Sequence, residues 1–335
     1  MKKYPSILHI IDSLEPGGAE KVAIILANLF QEKGHDVGLI YFNRTKINYC
    51  SQVLSDVELV RFDRKIKYNP IIPKSIKCII NKYDILHIHL RYNLNYYFFL
   101  NLFNRFNKPI YFHDHYGNIE NDYSANWFEK LLLRKTVYIC VSDTLREWAI
   151  RNGFKKIFFL QNIIVREENI NISDPIGQLI MVGNIHKRKN QLFALRLLKR
   201  ILKTKDINID IYGSIQDPDY FNILSDYIER NNLTNNVNFI FNCNNIQKIL
   251  HRYSLAIHCS TSETGPLVLM EYMAHGLPFI SNDTGYVVNY LKHELDFLIM
   301  DSFSISSWIK TIDMIESKSK EKLDRKLINI FEKNC

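Results

Sequence analysis

The first half of the chain alternates short apolar segments with longer segments of helical period. Residues 6–12 and 36–42 are short apolar runs, and between them, at 18–33, apolar residues recur every three or four positions. This pattern predicts a strand, a helix and a second strand. The alternation continues, with predicted strands at 57–62, 84–89, 109–113 and 136–141 and predicted helices at 73–82, 95–106 and 142–152. Strands that alternate with helices favour a parallel sheet covered on both faces.

The same alternation begins again in the second half of the chain. It predicts strands at 178–182, 207–213, 237–241, 255–260 and 279–282, with helices at 189–204, 219–231, 245–253 and 266–275. Between the two series, residues 160–177 lack a clear period and contain Asn, Asp, Pro and Gly, which is typical of a connector. We place the boundary near Asn162 and predict two Rossmann-like α/β domains, 1–161 and 162–335. From 304 onward the pattern predicts a helix and then a Lys/Glu-rich segment, either an exposed helix or a partly frayed one.

Composition agrees with a folded chain of two domains. The 335 residues are 47% hydrophobic and 23% charged, which is ordinary for soluble globular proteins. The six cysteines include no C-x-x-C pair, so buried free thiols are expected. His9 and Asp12 interrupt the first apolar run before it reaches signal-peptide length, and no run is long enough to cross a bilayer. These features predict a cytoplasmic protein.

The charge balance points to an anionic partner without choosing one. Forty-three Lys and Arg residues against 35 Asp and Glu residues leave a net charge of +8. A phosphate ester, a nucleic acid or a membrane surface would each suit this excess. The net charge does not locate a binding site, so candidate sites are identified from individual residues and motifs.

The loops that follow the predicted strands, here called strand exits, are the candidate binding sites, because ligands of open α/β sheets bind beyond the carboxyl ends of the strands. Gly17 and Gly18 follow the first predicted strand and precede a helix. Adjacent glycines let the backbone approach a ligand, and a helix N-terminus offers N–H groups to an anion. The pattern G-x-G-x-x-G is absent here, so an ordinary turn is the alternative.

Two further exits carry charged residues. A basic loop with Lys187, Arg188 and Lys189 follows the strand at 178–182, and an amine there can reach a diphosphate. After the strand at 255–260, Glu263 and Glu271 are eight residues apart, a little over two helical turns, so we expect both to face one cleft. Between them Pro266 suits a first helical turn, whose unpaired N–H groups form an anion site.

The order of these features resembles the glycosyltransferase family 4 type of retaining, nucleotide-sugar-dependent enzyme. The Gly-Gly loop, a V-G-x-x-x-x-x-K loop and a Glu-x7-Glu pair followed by Met-Ala-His-Gly-Leu-Pro succeed one another between residues 7 and 300. The resemblance implies the GT-B architecture, two facing Rossmann-like domains with parallel sheets and an interdomain cleft. It implies a nucleotide-sugar donor, with UDP favoured as the commonest, and a glycan or lipid-linked acceptor in cell-surface polysaccharide biosynthesis. No motif in the chain calls for a metal ion, so we expect a reaction that needs neither a metal ion nor a cofactor.

Roles for individual residues follow from the same resemblance. It makes Lys189 the cation on the donor diphosphate, Glu271 the acid that binds the ribose hydroxyls and Glu263 the acid that holds donor-sugar hydroxyls. Gly17 and Gly18 would border the distal phosphate from the first domain. The backbone amides around that phosphate would be those of Thr264, Gly265, Leu267 and Val268.

The chain departs from the family pattern at one position and is ambiguous at another. The family usually has Arg after the glycine of the V-G loop, where this chain has Asn184. Either Lys187 or Arg188 supplies the missing charge, or Lys189 and the helix dipole bind the diphosphate alone. His113 ends the strand at 109–113 and His115 follows it, and we assign the family's catalytic position to His115 by counting from Pro109.

Other classes of function are less well supported by the residues. Asp217-Pro218-Asp219 could be a metal-binding D-x-D motif, but the proline favours a turn, and no cluster has zinc-ligand spacing. Nucleic-acid binding fits the charge, yet no motif for it is present. A non-catalytic nucleotide-sugar-binding module is the other alternative, because Asn184 replaces Arg.

Aromatic residues interleaved with cations at 91–108 raise the further hypothesis of a peripheral membrane contact. Residues Arg91, Arg105 and Lys108 accompany six aromatic residues in a helix that cannot bury all of them on one face. Aromatic and basic residues together favour an anionic membrane interface, which suits a lipid-linked acceptor. Packing of the same aromatics into the domain core is the alternative.

Overall fold

The computed structural model describes residues 4–42, 49–62, 74–117, 119, 136–168, 179–241 and 243–335. The chain divides into two compact units, Met1–Ile163 and Ile164–Cys335. Each unit contains one sheet in which every pair of neighbouring strands is parallel. The predicted boundary at Asn162 lies beside this division.

The sheet of the first unit has the strand order β3-β2-β1-β4-β5-β6-β7. Its strands are β1 (Ile7–Ile11), β2 (Val37–Tyr41), β3 (Glu58–Arg61), β4 (Ile85–His89), β5 (Ile110–Asp114), β6 (Val137–Cys140) and β7 (Lys156–Phe159). The described helices are α1 (Gly18–Glu32), α2 (Lys74–Lys82), α3 (Arg91–Asn104) and α4 (Asp143–Arg151). The order reverses at β1 and β4, which is the point where ligands of open sheets usually bind.

The sheet of the second unit has the strand order β10-β9-β8-β11-β12-β13. Its strands are β8 (Leu179–Val182), β9 (Ile209–Tyr212), β10 (Val237–Ile240), β11 (Leu255–His258), β12 (Phe279–Asn282) and β13 (Ile299–Met300). The described α-helices are α5 (Gln191–Ile201), α6 (Pro218–Arg230), α7 (Leu267–Ala274), α8 (Ile305–Ser317) and α9 (Lys320–Asn334). Here the order reverses between β8 and β11, whose exits carry the basic loop and Glu263.

Each face of the first sheet packs against its own layer. On one face, Leu8, Leu86 and Phe112 belong to a cluster that continues into α2, α3 and α4. On the other face, Ile11 and Val37 pack with apolar residues of α1. This two-sided burial is why the strand segments are almost continuously apolar. The exceptions are histidines on β1, β4 and β5, which are buried with the strands that carry them.

Several elements differ from the predicted ones. The strands β7 and β13 were not predicted; β13 has two residues, too few to give a period. Helix α3 begins at Arg91 rather than 95, and in its first turn buried Asn93 donates from Nδ2 to the carbonyl of His89, four residues earlier, at 2.9 Å. The Lys/Glu-rich tail is the ordered helix α9, with Leu323, Leu327 and Ile330 buried.

Candidate active site

A short ion pair joins two strand exits of the second unit. Lys189 ends a 3₁₀ turn (Lys187–Lys189) that follows β8, and Glu263 lies in the loop between β11 and α7. The Lys189 Nζ atom is 2.5 Å from Glu263 Oε1, and both side chains are largely buried. The resemblance assigned these two residues to one donor site, and the structure brings them into contact.

Neighbouring groups keep Glu263 ionised. Burial alone would raise its pKa, but the Lys189 ammonium and the His258 ring together hold that pKa well below its usual range. His258 Nε2 lies 3.8 Å from Glu263 Oε1, while His258 Nδ1 is 2.9 Å from the hydroxyl of Ser281. Sequence reasoning did not identify His258, since it lies inside an apolar strand and no motif marks it.

The loop that carries Glu263 is braced by the loop after β12. The Glu263 amide donates to Thr284 Oγ1 at 2.9 Å, and the Tyr286 amide donates to the carbonyl of Thr264 at 3.1 Å. Gly285 stands between these two contacts with a φ of +76°, where a Cβ would lie 2.7 Å from Pro266 Cδ. Only glycine combines this conformation with this close approach.

Helix α7 begins directly after the braced loop. Pro266 is its N-cap and is extended, so the amides of Leu267 and Val268 open the helix without a side-chain cap. Glu271 is buried on the same helix. The second unit therefore places a helix N-terminus, an acid before it and an acid within it along one short segment.

The polar residues of the loop after β8 differ in their contacts: Asn184 bonds to the backbone, whereas Lys187 and Arg188 are exposed. Asn184 Oδ1 accepts a hydrogen bond from the Ser214 amide at 2.9 Å, which ties the exit of β8 to the exit of β9. The amide side chain thus has a bracing contact at the position where the family usually has a cation. Lys187 and Arg188 are exposed, and neither has an ion pair within the part of the chain that the structure describes. Both remain candidates for the missing charge.

In the first unit, Gly17 is the N-cap of α1 and Gly18 is its first residue. The carboxyl group of Glu20 folds back onto Gly17, at the place where a Cβ would otherwise be. Burial, together with the charges of Glu15 and Asp12, raises the pKa of Glu20 to about 7. The turn therefore has an acid of its own beside the helix N-terminus.

The structure distinguishes the two histidines at the end of β5. His113 is fully buried within the strand, whereas His115 lies just beyond it and is partly exposed. Asp114, between them, accepts from Arg91 Nε at 2.9 Å, from the Tyr138 hydroxyl at 2.7 Å and from the Tyr116 amide at 3.1 Å. These bonds fix the turn that carries His115.

Arg91 does not have the position that the membrane hypothesis gave it. Its guanidinium pairs with Asp114 and lies 4.1 Å from the ring centroid of Trp148 and 4.4 Å from that of Tyr116. A largely buried cation held in this way is part of the fold. Its partners come from other strands and helices, so no local pattern in the sequence could have identified them.

Two protein-family models match the chain. The model of glycosyl transferases group 1 matches residues 165–333, and the model of glycosyltransferase family 4 matches residues 16–168. The chain therefore belongs to the glycosyl transferases group 1 family and is a glycosyltransferase of the GT-B fold class.

Particular relatives are distant in sequence. The chain is 26% identical over 211 residues to the UDP-Gal:alpha-D-GlcNAc-diphosphoundecaprenol alpha-1,3-galactosyltransferase of Escherichia coli, an alignment that covers 62% of this chain and 52% of that protein. It therefore spans about half the length of that relative. An uncharacterized glycosyltransferase of Haemophilus influenzae is 24% identical over 339 residues, covering 94% of this chain and 90% of the other.

Among solved structures, the chain is similar to Anabaena Alr3699/HepE in complex with UDP-glucose. The TM-score is 0.79 at 15% identity, and the match covers 98% of this chain and 95% of that one. This likeness shows the fold. Within the described residues, no helix is both long enough and apolar enough to cross a membrane.

The bracing glycine gives the first prediction. Gly285→Ala should lose about 1–2 kcal/mol of unfolding free energy for its left-handed backbone and, in addition, displace the loop that carries Glu263. Gly34→Ala is the matched control, because Gly34 has a φ of +89° but only Tyr4 within 4 Å. Urea unfolding and UDP titration by calorimetry measure the two effects. Unchanged UDP affinity in Gly285→Ala would show that the glycine does not shape the site.

Proposed function

We propose that this glycosyltransferase transfers a hexose from a UDP-sugar to a glycan or lipid-linked saccharide, with retention at the anomeric carbon and without a metal ion. The observation that carries the proposal is the Lys189–Glu263 ion pair, 2.5 Å long, in the segment that leads into α7, the helix on which Glu271 is buried. Alr3699/HepE, similar in fold, was solved with UDP-glucose, which supports a donor of this class.

The diphosphate would bind between Lys189 and the start of α7. An ammonium and a helix N-terminus both favour an anion, and together they supply the positive charge that a metal ion supplies elsewhere. The incoming phosphate would compete with Glu263 for Lys189 Nζ. Released from part of this contact, the Glu263 carboxylate would accept hydrogen bonds from donor-sugar hydroxyls.

The buried acid on α7 suits the ribose. A carboxylate offers two acceptor oxygens, so Glu271 can hold both hydroxyls of a ribose diol. Its burial on a helix gives it one fixed position, as a specificity contact requires. Donor recognition would then be divided between Glu271 for the nucleoside and Glu263 for the sugar.

Retention is proposed through attack on the same face as departure. Neither acid is positioned as an evident nucleophile, because Glu263 is paired with Lys189 and Glu271 is buried on α7. The departing phosphate oxygen would accept the proton of the acceptor hydroxyl while Lys189 stabilises the developing negative charge. His115, partly exposed at the end of β5, is proposed to contact a substrate.

The acceptor is proposed to be lipid-linked, with the enzyme on the cytoplasmic face of the membrane. The curated E. coli relative acts on a diphosphoundecaprenol substrate. Four of the seven aromatic residues between Arg91 and Phe106, namely Tyr96, Tyr97, Phe98 and Phe106, are buried, so most of that stretch is core. Leu102 and Phe103, however, are 60% and 62% exposed near the exposed Arg105, and this small apolar patch supports a peripheral contact.

The ion pair predicts the effect of removing its cation. Lys189→Ala should lower the turnover number by about 100-fold or more, as the loss of one preorganised donor to a developing oxyanion does. Lys203→Ala, which removes an exposed cation just after α5, should change it much less. Transfer from UDP-sugars is measured by release of UDP, and the anomeric configuration of the product by NMR. Near-normal turnover in Lys189→Ala, or an inverted product, would contradict the mechanism.

The division of labour between the acids is tested by two isosteric changes. Glu271→Gln should weaken UDP binding about tenfold or more, because a charged acceptor of ribose hydroxyls is lost. Glu263→Gln should leave UDP affinity closer to normal and lower sugar transfer. Calorimetry and transfer assays separate the two. Tight UDP binding without any transfer in the unaltered protein would favour the alternative of a non-catalytic module.

Membrane contact predicts flotation with anionic vesicles. Unaltered protein should float with phosphatidylglycerol vesicles and not with phosphatidylcholine vesicles, and the double substitution Leu102→Ser and Phe103→Ser should abolish recovery. Ile223→Ser is the control, because Ile223 is another exposed apolar residue, 47% accessible, in the second unit. Equal recovery with both vesicles, or recovery with neither, would favour a soluble acceptor.

A further inference from the structure

Histidines line one face of the first sheet. His9 on β1 is paired in register with His87 on β4, and His89 on β4 is paired with His113 on β5. These four residues are buried, and His115 follows on the same side of β5. Such positions in a sheet covered on both faces are ordinarily apolar, so polar rings here need a physical reason.

Three of the rings lie in a line. His9 Nδ1 is 3.2 Å from His89 Nε2, and His89 Nδ1 is 3.4 Å from His115 Nε2. The ring planes of the first pair differ by 19° and those of the second pair by 17°, with centroids 5.5 and 5.7 Å apart. Nearly coplanar rings that meet end to end direct their in-plane nitrogens at each other, as hydrogen bonds require. We call His9, His89 and His115 the imidazole chain.

Metal binding is the other chemistry that a histidine cluster suggests. Ligand atoms of His9, His87 and His89 lie within 4.8 Å of one another, and so do those of His89, His113 and His115. In the second group, neither ring nitrogen of His113 has a hydrogen-bond partner among the described residues. The His87 ring, however, is stacked on that of His89 at 4.5 Å and 21°, so their in-plane lone pairs do not converge on one point. Metal-bound histidines also donate their second nitrogen to a carboxylate, carbonyl or water. Among the described residues, His9 Nε2 and His87 Nε2 have no such partner.

The imidazole chain has a direction. Burial lowers the pKa of His9 and His89 well below the ordinary value and that of His115 to about 3, so all three rings are neutral near pH 7 and each has one N–H. His89 uses both nitrogens, so it must accept on one side and donate on the other. If it donated to His9, the His9 proton would sit on buried Nε2, which has no partner among the described residues. Buried unpaired N–H groups are rarer than unpaired acceptors, which favours donation from His9 to His89.

We propose that His9 and His89 are positioning residues that fix the tautomer of His115. His9 Nδ1–H donates to His89 Nε2, His89 Nδ1–H donates to His115 Nε2, and His115 therefore has its proton on Nδ1. Side-chain hydrogen bonds fix the backbone at His89 and next to His115. Asn93 Nδ2 donates to the His89 carbonyl at 2.9 Å, and Asp114 accepts from the Tyr116 amide beside His115.

The catalytic role of this His115 tautomer rests on the proposed function. With its proton on Nδ1 and its Nε2 occupied, His115 offers a hydrogen-bond donor to a substrate oxygen. It has no free lone pair with which to remove the proton of an acceptor hydroxyl. That task then falls to the departing phosphate.

Nitrogen NMR on the unaltered protein tests the direction of the chain. Protein labelled with ¹⁵N-histidine, treated with EDTA and free of substrates should show His115 protonated at Nδ1 and a nitrogen coupling across the His9–His89 hydrogen bond. Protonation of His115 at Nε2 would overturn the proposal. So would histidine signals that shift when EDTA removes a metal ion, since that result would mean ligation instead.

A pair of variants tests whether His9 acts at a distance. His9→Phe should leave His115 as a mixture of tautomers and lower kcat/KM for transfer by up to about tenfold, the worth of one neutral hydrogen bond. His87→Phe, stacked on the same ring but outside the chain, should change neither. An unaltered His115 in His9→Phe, or the same change in both variants, would overturn the proposal. If the tautomer is found but no transfer is detected, the proposed function fails and the imidazole chain stands.

Discussion

Parallel pairing of the strands is the constraint on which the rest of this structure depends. Consecutive parallel strands require a crossover, so every strand of a sheet ends at the same edge. In the second unit this brings Lys189, after β8, against Glu263, after β11, across 74 residues of sequence. In the first unit it brings histidines of β1, β4 and β5 onto one face. Functional side chains that are distant in sequence meet at these edges, because the ends of parallel strands lie side by side there.

The fold could be predicted from the sequence because both sheets are buried on two faces. Strands of such sheets are recognised in a sequence as short apolar runs. The residues of the candidate donor site could be proposed from the sequence because they lie in loops with a recognisable order. What escaped prediction depends on contacts between strands. The Arg91–Asp114 pair, His258 beside Glu263 and the alignment of His9 with His89 involve no local period. These contacts depend on the register of neighbouring strands, which the local sequence pattern does not give.

The second unit also shows how backbone contacts hold a short polar segment in place. Thr284 and Tyr286 bind the backbone at Glu263 and Thr264, just before Pro266, and Gly285 permits the close approach. Asn184 performs a similar task at the exit of β8. The cation that the family usually has there is thus replaced by a brace, which leaves Lys189 as the cation in direct contact with Glu263.

The acid beside the Gly-Gly turn has a consequence for proton balance. Glu20 has a pKa raised to about 7, so near neutral pH it is a mixture of charged and protonated forms. An anion that approaches Gly17 raises this pKa further, because like charges disfavour each other. Such an anion is therefore taken up together with a fraction of a proton, and by linkage its affinity declines as the solution becomes more alkaline.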